Sequence, residues 1–210
     1  MNIIKLSIAP LITLTLISGQ SLAASEEPTN ILCANSEQRD RVQNYYASNP
    51  GSHVTTVSFK TDINEAKVAS AISSGQAVSA PGESFEAVWE AMQEWEEASF
   101  IIMKGQNVFE ILSSVGTGSP SKRSSYYNIA YEAPLRGHLR PDLYSAIYAV
   151  EQPINDKAVS RGVLFFDQAG TTVFGAFISG ASKHIDANEL AKFRNVWDIV
   201  SERPNVCPPN

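Results

Sequence analysis

The stretch that decides the fold is "GVLFFDQAGTTVFGAFIS", residues 162–179. Two runs rich in Val, Phe, Thr and Ile flank the tight turn Gln168-Ala169-Gly170. Aromatic and β-branched runs joined by so short a glycine-containing turn read as an antiparallel β-hairpin.

Working outward, the period stays near two. "FIIMKGQNVFEILSSV" (100–115) reads as two strands around Gly105-Gln106-Asn107. "SSYYNIAYE" (124–132) and "HLRPDLYSAIYAVE" (138–151) follow, with nothing helical expected among them. On either side the period lengthens. "PGESFEAVWEAMQEWEEAS" (81–99) is the clearest helix, with Phe85, Val88, Met92 and Trp95 three and four residues apart and glutamates between them. "DANELAKFRNVWDIV" (186–200) is a second helix, opened by an Asp186/Glu189 capping box and burying Leu190, Phe193, Trp197 and Val200. Near the start, "SEQRDRVQNYYASNPG" (36–51) reads as a helix and "HVTTVSFK" (53–60) as a short strand. "DINEAKVASAISSG" (62–75) reads as a helix opened by Asp62 and Glu65. Consecutive strands on short turns, with helices before and after, predict one α+β domain: a large antiparallel sheet packed by N-terminal and C-terminal helices. "GTGSPSKRSS" (116–125) is the expected flexible connection.

The first residues speak to the compartment. "MNIIKLSIAPLITLTLISGQSLAASEEP" has Lys5, then an uncharged apolar run, then Ser21-Leu22-Ala23. That is the pattern of a secretory signal peptide cut after Ala23. The run is broken by Pro10 and falls short of the roughly 20 residues of a spanning helix. The chain then divides into a signal peptide (1–23), a helix-and-strand extension (24–62) and the main α+β domain (63–210). The expected location is periplasmic or secreted. Lys and Arg number 16 against 22 Asp and Glu, and removing Lys5 takes the balance from −6 to −7. Such a chain, without a basic run, is not expected to have nucleic acid as its main partner. Cys33 and Cys207, the only cysteines, are expected to form one disulfide in an oxidising compartment, two unpaired thiols being the other reading.

No P-loop, GxGxxG, HExxH, GxSxG or CxxC signature occurs, and His53, His138 and His184 lack metal-ligand spacing. What remains is "LRGHLR", 135–140, after the aromatic Tyr126-Tyr127-Asn128. An imidazole between two guanidinium groups and beside aromatic rings is what iron porphyrin binding requires. His138 would ligate iron, Arg136 and Arg140 would pair with propionates, and a ring such as Tyr127 would pack on the macrocycle. The alternative is that His138 hydrogen-bonds across a turn and the arginines are solvated.

"PGESFEAVWEAMQEWEEASFIIM", "YYNI", "LRGHL", "GVLFFDQAGTTVFGAFISG" and "DANELAKFRNV" occur in this order and at similar intervals in one family. The chain resembles the ChuX/HutX haem-utilisation carriers, whose domain is similar to each half of the longer HemS-type proteins. The resemblance covers roughly Ile63 to Val200. It implies a homodimer, haem as cofactor, and haem storage, transfer or breakdown as the activity. His138 falls on the family's Gly-His, and Arg140 where longer relatives read Gly-His-Ile-Arg. This chain departs at Met103, where haem-binding relatives can carry a histidine; a thioether also ligates haem iron, but in so apolar a strand Met103 reads first as core. It departs again at Gly180-Ala181-Ser182, where the family reads Gly-Arg-Asp, with Lys183 or His184 as substitutes for the lost charge.

Three functions follow. The first is an exported haem-binding protein that stores haem or passes it between a donor and an acceptor protein. The second is a haem-degrading enzyme fed by an external reductant. The third is a domain whose sheet face binds a protein partner or small apolar ligand without haem.

Overall fold

The computed structural model describes residues 30–104, 107–130, 132, 134–178 and 185–208. The predicted signal peptide, the tip of the Gly105-Gln106-Asn107 turn and the 180–184 departures lie largely or wholly outside them.

Three helices come first: α1 (Ser36–Ser48), α2 (Val54–Thr61) and α3 (Glu65–Ser70). Strand β1 (Ala77–Pro81) leads into α4 (Phe85–Met92), then the hairpin β2 (Ala98–Lys104) and β3 (Asn107–Ser113). Three short strands follow, β4 (Gly118–Pro120), β5 (Tyr127–Ile129) and β6 (Gly137–Leu139). The long strands β7 (Tyr144–Asn155), β8 (Ala158–Asp167) and β9 (Thr172–Ile178) precede α5 (Ala187–Ser201).

The long strands build one six-stranded antiparallel sheet in the order β1-β7-β8-β9-β2-β3, and β4-β5-β6 form a small antiparallel sheet. The α+β architecture read from the sequence is therefore the architecture observed. Side chains alternate across the large sheet, so it has two apolar faces. One carries Phe100, Phe165, Phe174 and Ala176, covered by α4, α5 and the inward residues Tyr127, Ile129 and Leu139 of the small sheet. Phe165 and Phe174 stack at 4.4 Å, and Phe85 and Trp89 close over them. The other carries Tyr148, Leu164 and Phe166, covered by α1–α3.

The opening hairpin is built as its residues dictate. Gly170 turns with φ +75°, a conformation that costs glycine nothing. Its carbonyl accepts from the Ala66 amide at 2.9 Å, and Ala169 accepts from Asn64 Nδ2 at 2.9 Å. The turn is thus tied to the start of α3.

Several boundaries differ from the sequence reading. Residues 53–60 form no strand: α2 occupies them. The β-branched run Val54-Thr55-Thr56-Val57 favours strand by propensity, but Val54, Val57 and Thr61 share one helical stripe and are all buried. Asp62 does not open α3. It ends α2 in the left-handed conformation (φ 52°), and Asn64 caps α3 by accepting from the Ala66 amide. Helix α4 ends at Met92, so Trp95 is buried beyond its end. In α5 the Asp186 cap is present, accepting from Asn188, and the buried residues are Phe193, Val196 and Val200. Leu190 and Trp197 lie at the margin. A 3-10 turn, Pro141–Leu143, separates β6 from β7.

Cys33 and Cys207 are joined, with 5.6 Å between their Cα atoms. No helix among the described residues is long and apolar enough to cross a membrane.

Candidate functional site

The small sheet positions the Gly-His-Leu-Arg corner. Tyr127 and Ile129 alternate inward on β5, so Asn128 faces outward. On β6, Leu139 packs on the core while His138 faces outward and is exposed. The register pairs Asn128 with His138, and Asn128 Oδ1 lies 2.7 Å from His138 Nδ1. A carbonyl oxygen only accepts, so Nδ1 carries the hydrogen toward Asn128, and in the neutral ring Nε2 is the nitrogen that keeps a lone pair. The exposed ring of Tyr126 lies edge-on to the imidazole, centroids 5.9 Å apart.

The flanking groups sort themselves. Arg140 makes a two-pronged ion pair with Asp142 at 2.8 and 2.7 Å and lies 5.4 Å above the Tyr126 ring. The pairing pushes its pKa further up and pulls the Asp142 carboxyl below its usual range. Its fork already holds a carboxylate. Arg136 is exposed in the segment leading into β6. Tyr127 is not beside His138. It is 4% exposed and packs against Phe85 and Trp89, so Tyr126 is the ring available at the corner.

Met103 does not join this cluster. On β2 it alternates with Ile102, which packs on the face beneath the small sheet, so Met103 belongs to the opposite face. There it lines a small hollow with His53, Ile101, Leu164, Gly175 and Phe177. His53, at the start of α2, sets its ring edge-on to Phe177 with centroids 5.8 Å apart. Loss of water on that side lowers the imidazole pKa, against a weaker opposing pull from Glu110. Sequence reasoning missed Asn128, Tyr126 and His53. The first two follow from strand alternation once Tyr127 is known to face inward, whereas His53 is placed by the fold alone.

The model of the family described as haem utilisation ChuX/HutX matches residues 78–196, more than half of the chain. The chain belongs to the ChuX/HutX family. Three solved structures extend the comparison. A crystallised Agrobacterium tumefaciens protein is 27% identical with a TM-score of 0.66, over 78% of this chain and 92% of that one. The haem-binding protein ChuX is 18% identical, TM-score 0.64, over 77% and 99%. Holo-PhuS, a haem-binding protein from Pseudomonas aeruginosa, is 15% identical, TM-score 0.64, over 78% of this chain and 45% of that one. With ChuX and PhuS the likeness is one of fold. No curated protein matches by sequence. The ChuX/HutX match begins after α3, so His53 and Cys33 precede it and Cys207 follows it.

Proposed function

We propose that this ChuX/HutX protein is an exported haem-binding protein that stores haem or hands it on without degrading it. One observation carries the reading: in a haem-utilisation family, His138 is exposed and held by Asn128 so that Nε2 keeps the lone pair. That is the orientation a metal-ligating histidine takes when a neighbouring carbonyl fixes its tautomer. When bound, haem supplies an iron that accepts an axial nitrogen, and its anionic edge requires cations. On this chain His138 offers the nitrogen, Tyr126 an apolar edge and Arg136 the cation. Arg140 orients Tyr126 from its pair with Asp142.

Export is supported by the signal-like leader and by the disulfide, which belongs to oxidising compartments. Pairing with a second copy is supported by β3, an edge strand of the large sheet whose Val108, Phe109 and Leu112 are all exposed. Unpaired apolar edges of this kind recruit another chain.

The experiment separating carrier from enzyme is incubation of the haem-loaded protein with ascorbate in air. A Soret band that persists supports a carrier. Its loss with formation of a linear tetrapyrrole would establish degradation. A protein that develops no Soret band is a haem-free binding domain.

A further inference from the structure

We infer that the hollow between the end of α1, the turn before β1 and the last residues of β7 binds a neutral sugar ring. It shares no residue with the His138 corner, and the inference does not rest on the haem reading. The hollow has a volume of about 210 Å³ and lies between Gln43 and Tyr46 of α1, Ser73 and Gln76 of the turn, and Gln152 of β7. That is below the roughly 300 Å³ at which drug-sized sites begin, and it leaves room for a single ring. Gln43, Tyr46, Ser73 and Gln76 all precede residue 78, where the ChuX/HutX match begins, so the hollow belongs mainly to the N-terminal helices.

Its chemistry follows from Gln152. Alternate residues of a strand share a face, and Ala146, Tyr148 and Val150 of β7 make a buried row beneath the helices. Gln152 is next in that row and only 8% exposed, so an amide is buried where an aliphatic side chain would be expected. It lies beside the Tyr46 hydroxyl, but that buried hydroxyl makes no hydrogen bond of ordinary length and angle. Beyond that approach, the Gln152 amide has no side-chain partner among the described residues. Gln43 donates from Nε2 to the Ala71 carbonyl at 3.4 Å, which leaves its oxygen to accept. Buried polar groups without partners cost stability, and a ligand that completes them explains why they are kept. Burial pushes the Tyr46 phenol up to about 12, so it stays neutral and able to donate. Among the described residues that line the hollow, none is charged, so an anion or a cation finds no counter-ion there. Amides and hydroxyls both donate and accept, which matches the neighbouring hydroxyls of a sugar. Pro50, Ile72 and Pro153 supply apolar surface for its C–H face.

The test is saturation-transfer NMR of the native protein with D-glucose, D-galactose and N-acetyl-D-glucosamine, with D-glucuronate as the charged control. Gln152→Leu and Tyr46→Phe are titrated beside it. Each substitution removes an unpaired polar group from a buried position, so the melting temperature should hold or rise. The inference expects transfer to at least one neutral sugar and affinity about tenfold weaker, or less, in both variants. It is overturned by no transfer to any of the three sugars, by an equal response to glucuronate, or by unchanged affinity in either variant. A lower melting temperature in both variants also overturns it, because the amide and the hydroxyl would then be paired within the protein itself.

Discussion

At the residue scale, the corner turns on one hydrogen bond. Asn128 fixes which imidazole nitrogen of His138 keeps a lone pair. Asn128→Leu keeps a similar volume on an outward strand position but removes the acceptor. It is expected to weaken haem binding by roughly 10- to 100-fold, the cost of losing such an orienting partner, with little change in thermal stability. Parallel titrations and melting curves check it; equal affinity would show that Asn128 does not orient His138. The sequence made His138 legible, because a histidine after glycine and between arginines is unusual in a chain with three histidines. It did not reveal that Arg140 would be held by Asp142, nor which tyrosine would turn outward. Both depend on where β5 and β6 meet, and strand alternation has to be anchored by the core before it says which of two adjacent rings faces out.

At the element scale, the long strands, α4 and α5 were readable because their patterns are long and are read again in the packing. The 162–178 hairpin is buried on both faces, as its continuous apolar runs require. Helix α2 was not readable by propensity: eight residues with four β-branched ones at the start favour strand, and packing of Val54, Val57 and Thr61 overrides that preference. The helical layer and the sheet it covers also carry a pH signature. Burial pushes Tyr46 of α1 up to about 12 and raises Tyr144 and Tyr148 of β7 further. Folded pKa values above the unfolded value of roughly 10 mean that the stabilisation is intact below pH 10 and is lost as pH climbs through 12. In an alkaline titration, the phenolate absorbance of these three should appear only together with loss of the circular dichroism of the fold. Full ionisation of all seven tyrosines in a protein that still shows native dichroism would contradict their burial.

For the whole molecule, the disulfide joins the segment before α1 to the segment after α5, 174 residues apart. Closing so long a loop removes conformational freedom from the unfolded chain, a stabilisation of about 5 kcal/mol in the chain-entropy model. Replacing Cys33 and Cys207 together with serine should lower the urea midpoint accordingly and leave the haem spectrum unchanged, since the cysteine sulfurs contact Val206, Tyr148 and Leu32 and no residue of the His138 corner. A midpoint that does not move would mean that packing of α1 and α5 already holds the ends.

The most direct test of the central claim is a haem titration of the native protein beside His138→Ala, both followed at the Soret band. The account predicts a saturable change in the native protein and, in the variant, affinity at least tenfold weaker, about 1.4 kcal/mol. A native protein without a Soret change, or a variant that reproduces the native titration, would contradict it.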